Sequence, residues 1–444
     1  KGRKGEARYK PPLPVSVIKE ETGGATGKEP QHKWVKGTTD IYGGAAKAVL
    51  SLHKSLMSEN IHSYILTKDK NPQVKNDISR SSSLRNIISI IKNGVARKIC
   101  KLYRSDKKET LSISIFKTNI LKEINNFDCD LINLHWICDE FISIEQIKKI
   151  NKPIVWSLYD MWPFSGAEHY SDDERYKVGY LQNNRNKNES GIDINKWVWN
   201  RKKKNFNFPF KLIAPSQWLQ HTAQKSFIFK NFKIEKIGHP IDIEFWKSSN
   251  KINSKEILNI TKEKKLLIFF SSGTTQNHRK GLDYLFETIK KLKIDDNKYE
   301  LLIVGQKKNK NFLDKNNVKY IDYLKDDISR KILYSAADLV LSPSRTEAFG
   351  LVVAESAACG VPSIGFENTG VSEIIQHKKT GYLAKENNVD DFVAGIEWFF
   401  EDELRFEELG LNAREHIRNN FMDKLIAKKY INIYQNILNI NNKF

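Results

Sequence analysis

The chain has 444 residues, of which 40% are apolar and 28% charged, and it carries a formal net charge of +20. This composition is that of a folded globular protein and excludes a disordered chain, while the length predicts two large domains or three small ones. The charge indicates an anionic partner, which can be a nucleic acid, an acidic membrane surface or a phosphate-bearing substrate, or it reflects solvated lysine-rich helix faces and loops.

Two absences in the sequence narrow the class of protein further. No run approaches the roughly 18 consecutive apolar residues of a membrane span, and the first residues have no apolar signal-peptide core. The cysteines lack the C-x-x-C spacing of a zinc site and the density of a disulfide scaffold; they are Cys100, Cys129, Cys138 and Cys359. We therefore expect a cytoplasmic protein with reduced cysteines and no metal site.

Residues 1–36 differ from the rest of the chain. They are rich in Gly, Pro and charge and contain no Asn, whereas the remainder is rich in Asn and Ile. A glycine-rich stretch at residues 23–28 has the wrong spacing for a phosphate loop, with Glu29 where Ser or Thr would stand. We predict that residues 1–36 form a flexible tail or a foreign extension.

From Gly37 onward, short β-rich apolar runs alternate with longer helical patterns. The first helical pattern opens at Gly43 and Gly44 and runs to Leu56, and such a glycine turn admits a phosphate close to the backbone. Strands are predicted at residues 61–67, 130–137, 153–160 and 210–216, and again at 266–271, 300–305, 318–323, 338–343 and 361–365. This alternation predicts an α/β protein of two doubly wound domains with parallel sheets, and the break falls near residues 240–253.

The most informative segment is residues 339–360, where an apolar strand runs into a polar loop and then into a helix that Gly360 ends. Ligands bind at the carboxyl ends of the strands in such sheets, which is where this loop lies. The helix N-terminus presents free N–H groups and a positive dipole end, which suit a diphosphate or sugar oxygens. Gly350 lets the backbone approach such a ligand closely.

Two glutamates accompany this loop: Glu347 lies within it and Glu355 lies in the helix. Their spacing can put two carboxylates on either side of one ligand, where they accept hydrogen bonds from the vicinal hydroxyls of a sugar or a ribose. The alternative for two glutamates near a helix start is capping and compensation of the helix dipole.

The sequence around these glutamates resembles a known family. The motifs that carry the resemblance are Ser-Pro-Ser-Arg-x-Glu-x-Phe-Gly at residues 342–350, Gly-x-Pro at 360–362 and Thr-Gly-Val-Ser-Glu at 369–373. They are similar to those of the retaining group-1 (family 4) glycosyltransferases. The resemblance implies that Glu347 binds the transferred sugar and Glu355 the donor ribose. It also implies that the sugar and phosphate are lined by the backbone of Phe349, Gly350 and Leu351.

The family also places a basic pair at the donor phosphates, after the first strand of the C-terminal domain. That region here is the polar loop 272–281, in which Lys280 matches the family's lysine and Thr275 stands where an arginine is usual. By the resemblance, Arg279 supplies the missing charge, and the cations offset the charge of the leaving diphosphate. Gly273 and Thr275 are placed at the donor in the same way. The alternative is a solvated loop.

Three segments of the first half resemble a subgroup associated with exopolysaccharide and colanic-acid-like assembly; they are residues 133–137, 156–170 and 214–219. The resemblance implies an acceptor side that contains Gly43, Gly44, His135, Asp160 and His169. Tyr159 stands where many relatives carry a histidine, and Glu168 where some carry a cysteine. The alternatives are an aromatic core in the second segment and purely structural histidines.

Together these features predict a GT-B architecture, in which two Rossmann-like domains face a cleft. The predicted parts are the tail 1–36, an acceptor-side domain 37–245, a donor domain 246–420 and a helix 421–444 that braces the first domain. The resemblance implies transfer of a sugar with retention from a nucleotide-sugar donor to a saccharide or lipid-linked acceptor. It implies no cofactor, no metal and no nucleic acid.

Other functions stay open at the level of sequence. An enzyme of the same architecture can epimerise a nucleotide sugar, and a basic nucleic-acid-binding protein is supported by the charge alone. An inactive scaffold is suggested by Tyr159 and Thr275. The basic stretch at residues 197–204 either contacts an anionic membrane peripherally, at the inner face, or forms a solvated helix.

Overall fold

The computed structural model of the chain describes residues 15–20, 32–35, 43–68, 77–78, 83–105, 110–271, 278–305, 313, 315–324 and 326–441. The chain divides into two compact units. The first comprises residues 1–214, 220–236 and 427–444, and the second comprises residues 215–219 and 237–426. Within the described ranges, no helix combines the length and the apolar character that a membrane crossing needs.

Strands and helices alternate along most of the described chain, as the sequence predicts. The elements of the first half are β1 (Val15–Glu20), β2 (His32–Val35), α1 (Gly44–Ser58), β3 (His62–Leu66), α2 (Ser83–Cys100), β4 (Tyr103–Arg104), α3 (Ile120–Asn126), β5 (Leu131–Leu134), α4 (Ile144–Ile147), β6 (Ile154–Ser157), α5 (Arg175–Val178), β7 (Ser190–Gly191), α6 (Ile194–Asn205), β8 (Lys211–Ala214), α7 (Gln217–Gln224) and β9 (Ile234–Lys236).

The second half continues the alternation. Its elements are α8 (Lys251–Ile257), β10 (Lys265–Phe270), a 3₁₀ turn (His278–Lys280), α9 (Leu282–Lys291), β11 (Tyr299–Val304), β12 (Val318–Ile321), α10 (Asp327–Ala336), β13 (Leu339–Ser342), α11 (Leu351–Ala358), β14 (Ser363–Phe366), a second 3₁₀ turn (Gly370–Glu373), β15 (Gly381–Ala384), α12 (Val389–Phe400), α13 (Leu404–Phe421) and α14 (Asp423–Asn441).

Seven strands form the sheet of the first unit, in the order β2-β3-β1-β5-β6-β8-β9. The last four strands of this order run parallel, with Ile132 opposite Ile154 and Leu212 opposite Ile234. Strands β5 and β6 are buried at every residue, which is typical of a parallel sheet covered on both faces. The predicted parallel strands of the first half are thereby confirmed.

Two strands of this sheet come from the segment that the sequence predicts as a tail. The backbone of β1 pairs antiparallel with β3 and β5, and β2 pairs parallel with β3. The local sequence accounts for β1, because residues 15–18 read Val-Ser-Val-Ile and β-branched residues favour an extended backbone. The structure thus differs from the predicted tail at these two strands, and the other residues of 1–36 lie outside the described ranges.

The last helix, α14, joins the first unit from Ala427 onward. Asn133 Nδ2 donates to the hydroxyl of Tyr434 at 2.7 Å, and Ser157 Oγ lies 3.3 Å from the hydroxyl of Tyr430. Both tyrosines are buried. The helix therefore packs on β5 and β6, the strands that carry Asn133 and Ser157.

The sheet of the second unit is wholly parallel, in the order β12-β11-β10-β13-β14-β15. Side chains alternate along β10: Leu266 and Ile268 pack into one core with α10 and α11, whereas Leu267 and Phe269 pack into another with α9 and α12. Both faces of the sheet are therefore covered, which makes this a doubly wound domain. All five strands predicted for the second half are confirmed.

Polar caps set the starts of two helices in this unit. The Asp326 carboxylate accepts from the Ser329 N–H at 2.7 Å at the start of α10, and the Asn388 side chain accepts from the Asp391 N–H at 3.0 Å at the start of α12. Helix α11 begins differently, since Gly350 precedes it with φ +97° and no side-chain cap. The N-terminus of α11 thus keeps its N–H groups uncovered by a capping side chain.

Candidate functional site

The strand order of the second sheet locates a ligand crevice. In chain order the six strands lie 3-2-1-4-5-6, so β10 and β13 are neighbours whose following connections run in opposite directions. Ligands of open α/β sheets bind outside the carboxyl ends of the strands at this point of reversal. The sequence predicts donor-binding loops after β10 and after β13. The described end of the first loop, residues 278–281, lies beside the second loop, where the Arg345 N–H donates to the carbonyl of Arg279.

A compact ion cluster lies between these loops. Lys280 Nζ donates to Glu347 Oε2, and Arg279 Nη1 lies 3.5 Å from the same oxygen. Arg279 Nη1 also donates to the carbonyl of Thr346 at 2.9 Å. The three predicted residues Arg279, Lys280 and Glu347 are therefore in contact, and their side chains keep 27%, 22% and 15% of their surface exposed. We call these three residues the switch-point cluster.

The charges of the switch-point cluster are fixed by this contact. Burial alone would raise the pKa of Glu347, but Lys280 and then Arg279 outweigh it, so the pKa lies below its ordinary value of 4.5. Burial lowers the pKa of Lys280 from 10.5, an effect that the charge of Glu347 opposes. One carboxylate thus faces two cationic side chains, which leaves a net positive site suited to an anionic ligand.

Arg345 joins the two loops, a role that the sequence did not reveal. Its guanidinium donates to both carboxylate oxygens of Asp283, at 2.8 and 2.6 Å, and lies 3.6 Å above the ring of Tyr284. Its N–H donates to the carbonyl of Arg279 at 2.9 Å. Gly281 is required here, because it has φ +69° and a Cβ would lie 1.8 Å from the carbonyl oxygen of Pro343.

The turn that follows Glu347 presents its backbone rather than its side chains. The ring of Phe349 is buried edge-on against His239 and Phe421. Gly370 N donates to the carbonyl of Glu347 at 2.7 Å, and a Cβ on Gly370 would lie 2.4 Å from the carbonyl oxygen of Ala348. The resemblance predicts that this segment contributes its backbone to the donor site. Gly350 immediately precedes α11, and Leu351 is its first residue.

Glu355 lies deeper than Glu347 and is 4% exposed. Its Oε2 accepts from the guanidinium of Arg330 and from the hydroxyl of Tyr334, the latter at 3.0 Å. Burial, followed by the charge of Glu355, raises the pKa of Tyr334. The sequence assigns Glu355 to the donor ribose and gives no sign of this buried ion pair, which lies within α10 and α11. Gly273 and Thr275, also assigned to the donor, lie outside the described residues.

The acceptor-side residues belong to the first unit, and two of them are paired. Asp160 Oδ2 lies 2.5 Å from His169 Nδ1 and accepts from Trp136 Nε1 at 2.7 Å. His169 Nε2 lies 2.9 Å from Ser112 Oγ, and the indole of Trp136 stacks on the imidazole at 5.1 Å. All but Trp136 are buried. The imidazole is therefore held on both nitrogens, which fixes its orientation.

The other predicted acceptor-side residues are His135, Gly43 and Gly44, which belong to the same unit. His135 is buried, and its Nδ1 lies 3.1 Å from the hydroxyl of Tyr159, the residue that stands in place of a histidine. Glu168 Oε1 accepts from the hydroxyl of Tyr180 and from the Gly166 N–H. Gly43 precedes α1 and Gly44 is its first residue.

Lys202 is buried completely in the same unit, on helix α6. Its Nζ donates to the carbonyls of Trp162, Ser165 and Gly166, the last at 2.5 Å. Burial lowers the pKa of Lys202 from 10.5 to about 7. Trp199 on the same helix is also buried. The stretch 197–204 therefore has a buried side, which carries Trp199 and Lys202, and an exposed side, which carries Asn200, Lys203 and Lys204.

The lowered pKa of Lys202 predicts a pH-dependent stability. Between pH 7 and 10.5 the unfolded chain holds a proton that the folded protein has released, so unfolding takes up a proton. The free energy of unfolding should therefore rise with pH across this window, by up to about 1.4 kcal/mol per pH unit from this group. Urea unfolding of the protein and of Lys202→Met checks this, since only the difference between them reports on Lys202. Equal slopes would contradict the prediction.

The second unit is similar to a known protein family. Residues 250–419 match the family model described as Glycosyl transferases group 1, a span that includes the whole switch-point cluster and Glu355. Over residues 250–419 the chain is therefore similar to the group 1 glycosyltransferases. The capsular polysaccharide biosynthesis glycosyltransferase CapM of Staphylococcus aureus is 26% identical to the chain over 243 residues, which are 51% of the chain and 62% of CapM. The chain spans only 28% to 62% of the length of the first relatives it matches.

Solved structures extend the likeness beyond the glycosyltransferase domain. Sucrose-phosphate synthase from Thermosynechococcus elongatus matches with a TM-score of 0.65 at 16% identity, over 90% of this chain and 96% of that one. HepE of Anabaena in complex with UDP-glucose matches with a TM-score of 0.59 at 15% identity, over 89% and 96%. At these identities the likeness shows the fold alone. It confirms the α/β class with two Rossmann-like units of the GT-B type.

Proposed function

We propose that the protein is a retaining glycosyltransferase that takes a sugar from a nucleotide-sugar donor. The observation that carries this proposal is the switch-point cluster: two cations and one carboxylate meet at the crevice of a parallel sheet, within the span that matches the group 1 family. HepE was solved with UDP-glucose, which supports a nucleotide sugar as the ligand class. CapM, by its name, serves polysaccharide biosynthesis, and this supports a saccharide or lipid-linked acceptor.

Each part of the cluster has a role in this chemistry. Lys280 and Arg279 bind the diphosphate, and the N–H groups at the start of α11 add a positive dipole end. When the bond between the anomeric carbon and the phosphate oxygen breaks, its electron pair stays on the phosphate, where these cations stabilise it. Glu347 exchanges its bond to Lys280 for the hydroxyls of the sugar. The family resemblance implies a front-face reaction in which Glu347 positions the sugar rather than attacking it.

The other predicted residues complete the proposed sites. On the donor side, we propose that Glu355 binds the ribose and that the backbone of Phe349, Gly350 and Leu351 lines the sugar and phosphate. Gly273 and Thr275 stay predicted donor-binding residues. On the acceptor side we propose the Asp160–His169 pair, His135, and the glycine turn of Gly43 and Gly44. No metal or cofactor takes part in the proposed reaction, and peripheral contact with a membrane brings a lipid-linked acceptor within reach.

Calorimetry with UDP, GDP, ADP and their sugar conjugates in the presence of EDTA tests this proposal. We expect one nucleoside diphosphate to bind saturably without metal. Incubation of the matching sugar conjugate with and without acceptor then separates transfer from epimerisation, because an epimerase converts the donor alone. If no nucleotide binds and oligonucleotides bind with an affinity that falls with salt, the proposal is replaced by a nucleic-acid-binding function.

A further inference from the structure

Helix α2 carries an apolar face that is open to solvent. Five consecutive apolar positions on it are exposed, by 54% at Ile87, 44% at Ile88, 70% at Ile90, 59% at Ile91 and 40% at Val95. With 3.6 residues per turn, these positions fall within less than half of the helix circumference. We call them the α2 apolar face. A contiguous apolar face of this kind marks an interaction site, because isolated apolar residues are common on surfaces but such clusters are not.

The opposite side of α2 holds the helix against the first unit. Ala96 is buried, Lys92 Nζ donates to the carbonyl of Lys117 at 2.7 Å, and Asn93 Oδ1 accepts from Lys68 Nζ at 3.0 Å. The helix is therefore docked in a fixed rotation. Its apolar face points outward because the polar and small residues of the other side make the contacts.

The charge around the α2 apolar face identifies its partner. Residues 83–105 contain six basic residues and no Asp or Glu. Lys98, Lys101 and Arg104 follow the apolar face and are exposed, as is Leu102 between them. By helical spacing, Lys98 lies in the same row as Ile87 and Ile91. A second copy of the chain seated on this face would oppose these cations with the same cations, whereas anionic lipid headgroups complement them.

We propose that α2 binds the surface of an anionic membrane, with Ile87, Ile90 and Ile91 inserted between the lipids and Lys98 and Lys101 against the headgroups. A helix with an apolar face and a basic flank lies in the plane of the interface in this way. The location differs from residues 197–204, in which Trp199 and Lys202 are buried. This surface shares no residue with the switch-point cluster. The test of membrane binding therefore does not depend on the proposed sugar transfer.

Sedimentation of the full chain with phosphatidylcholine vesicles, with and without phosphatidylglycerol, tests the proposal. We expect binding that requires the anionic lipid and weakens with salt. The charge-reversed pair Lys98→Glu and Lys101→Glu should lower the partition coefficient by about tenfold or more, and the pair Ile90→Ser and Ile91→Ser by a similar factor. The side chains of Ile90, Ile91, Lys98 and Lys101 are all exposed, so these variants should have the unfolding temperature of the unchanged protein.

Matched variants separate this face from overall charge and apolarity. Lys225→Glu with Lys290→Glu makes the same change in net charge elsewhere, and Ile328→Ser with Leu411→Ser removes two comparably exposed apolar side chains, at 66% and 63%. Neither control pair should reduce vesicle binding. Equal losses from the control pairs and the α2 pairs would overturn the proposal.

Two other outcomes would assign the face to a different occupant and also overturn the proposal. Absence of vesicle binding with concentration-dependent dimers that Ile90→Ser and Ile91→Ser abolish would point to a second copy. Absence of vesicle binding with a lower unfolding temperature for the same pair would point to a segment of this chain. Nucleotide binding, measured on the same samples, should be unchanged in all variants.

Discussion

Glu347→Gln is expected to lower turnover by about 10²- to 10³-fold while leaving nucleotide affinity nearly intact. The amide keeps the shape of the side chain but removes the negative charge that faces Lys280 and Arg279. Because the pKa of Glu347 is lowered, the native group is a carboxylate at neutral pH, and the variant therefore changes the charge of the site. The cations proposed to bind the diphosphate remain, so the nucleotide should still bind.

Initial rates and calorimetry on the same preparation check this division. Glu367→Gln is a suitable control, since it makes the same chemical change at an exposed carboxylate of the same unit. The control should turn over at the native rate. A loss of nucleotide affinity as large as the loss of turnover in Glu347→Gln would mean that Glu347 shapes the phosphate site instead of positioning the sugar.

Glu355→Ala is expected to weaken donor binding more than turnover and, in addition, to destabilise the fold. The structure adds the second effect, because Glu355 is the buried partner of Arg330, whose guanidinium keeps its ion pair with Asp327 when the Glu355 carboxylate is removed. Removing one member of a buried pair costs about 3–5 kcal/mol, and the remaining bond to Asp327 puts the expected loss at or below the lower end of that range. Chemical unfolding measures the stability, and calorimetry below the unfolding transition measures the affinity.

Tyr334→Phe separates the two effects of Glu355. It removes one hydrogen bond to the same carboxylate oxygen without changing any charge, and should cost only about 1 kcal/mol. Its donor affinity should stay near the native value. If Glu355→Ala destabilises the protein but binds the donor as tightly as Tyr334→Phe does, then Glu355 is a structural residue and its proposed contact with the ribose is wrong.

The sequence predicts the second sheet well because the pattern that forms each strand lies within a few neighbouring residues. Strands β10, β11 and β13 are largely apolar runs bounded by polar or turn residues, and a strand buried on both faces must have that pattern. The roles of Glu347 and Lys280 come from the family resemblance and stay predictions, while their position at the carboxyl ends of strands follows from the strand pattern. The order itself, which makes β10 and β13 neighbours, carries no local signal and comes only from the fold.

Pairs far apart in the chain mark the limit of prediction. Asp160 and His169 are nine positions apart in one motif, and their proximity could be expected. Arg345 binds Asp283 across 62 positions, and Arg330 binds Glu355 across 25, without any motif that joins them. Strand β1 is a different case, because its β-branched residues lie in a segment whose overall composition favours a tail, and only pairing with β3 and β5 offsets that composition.

The contact between the two loops of the switch-point cluster has a consequence for redesign. Arg345 forms an ion pair with Asp283 and stacks on Tyr284. Because Gly281 has no side chain, Pro343 lies directly against the loop that contains Gly281. Neither loop can be reshaped without disturbing the other. To change the donor preference by loop grafting, residues 278–284 and 343–347 therefore have to be exchanged together, and both segments have to come from the same protein.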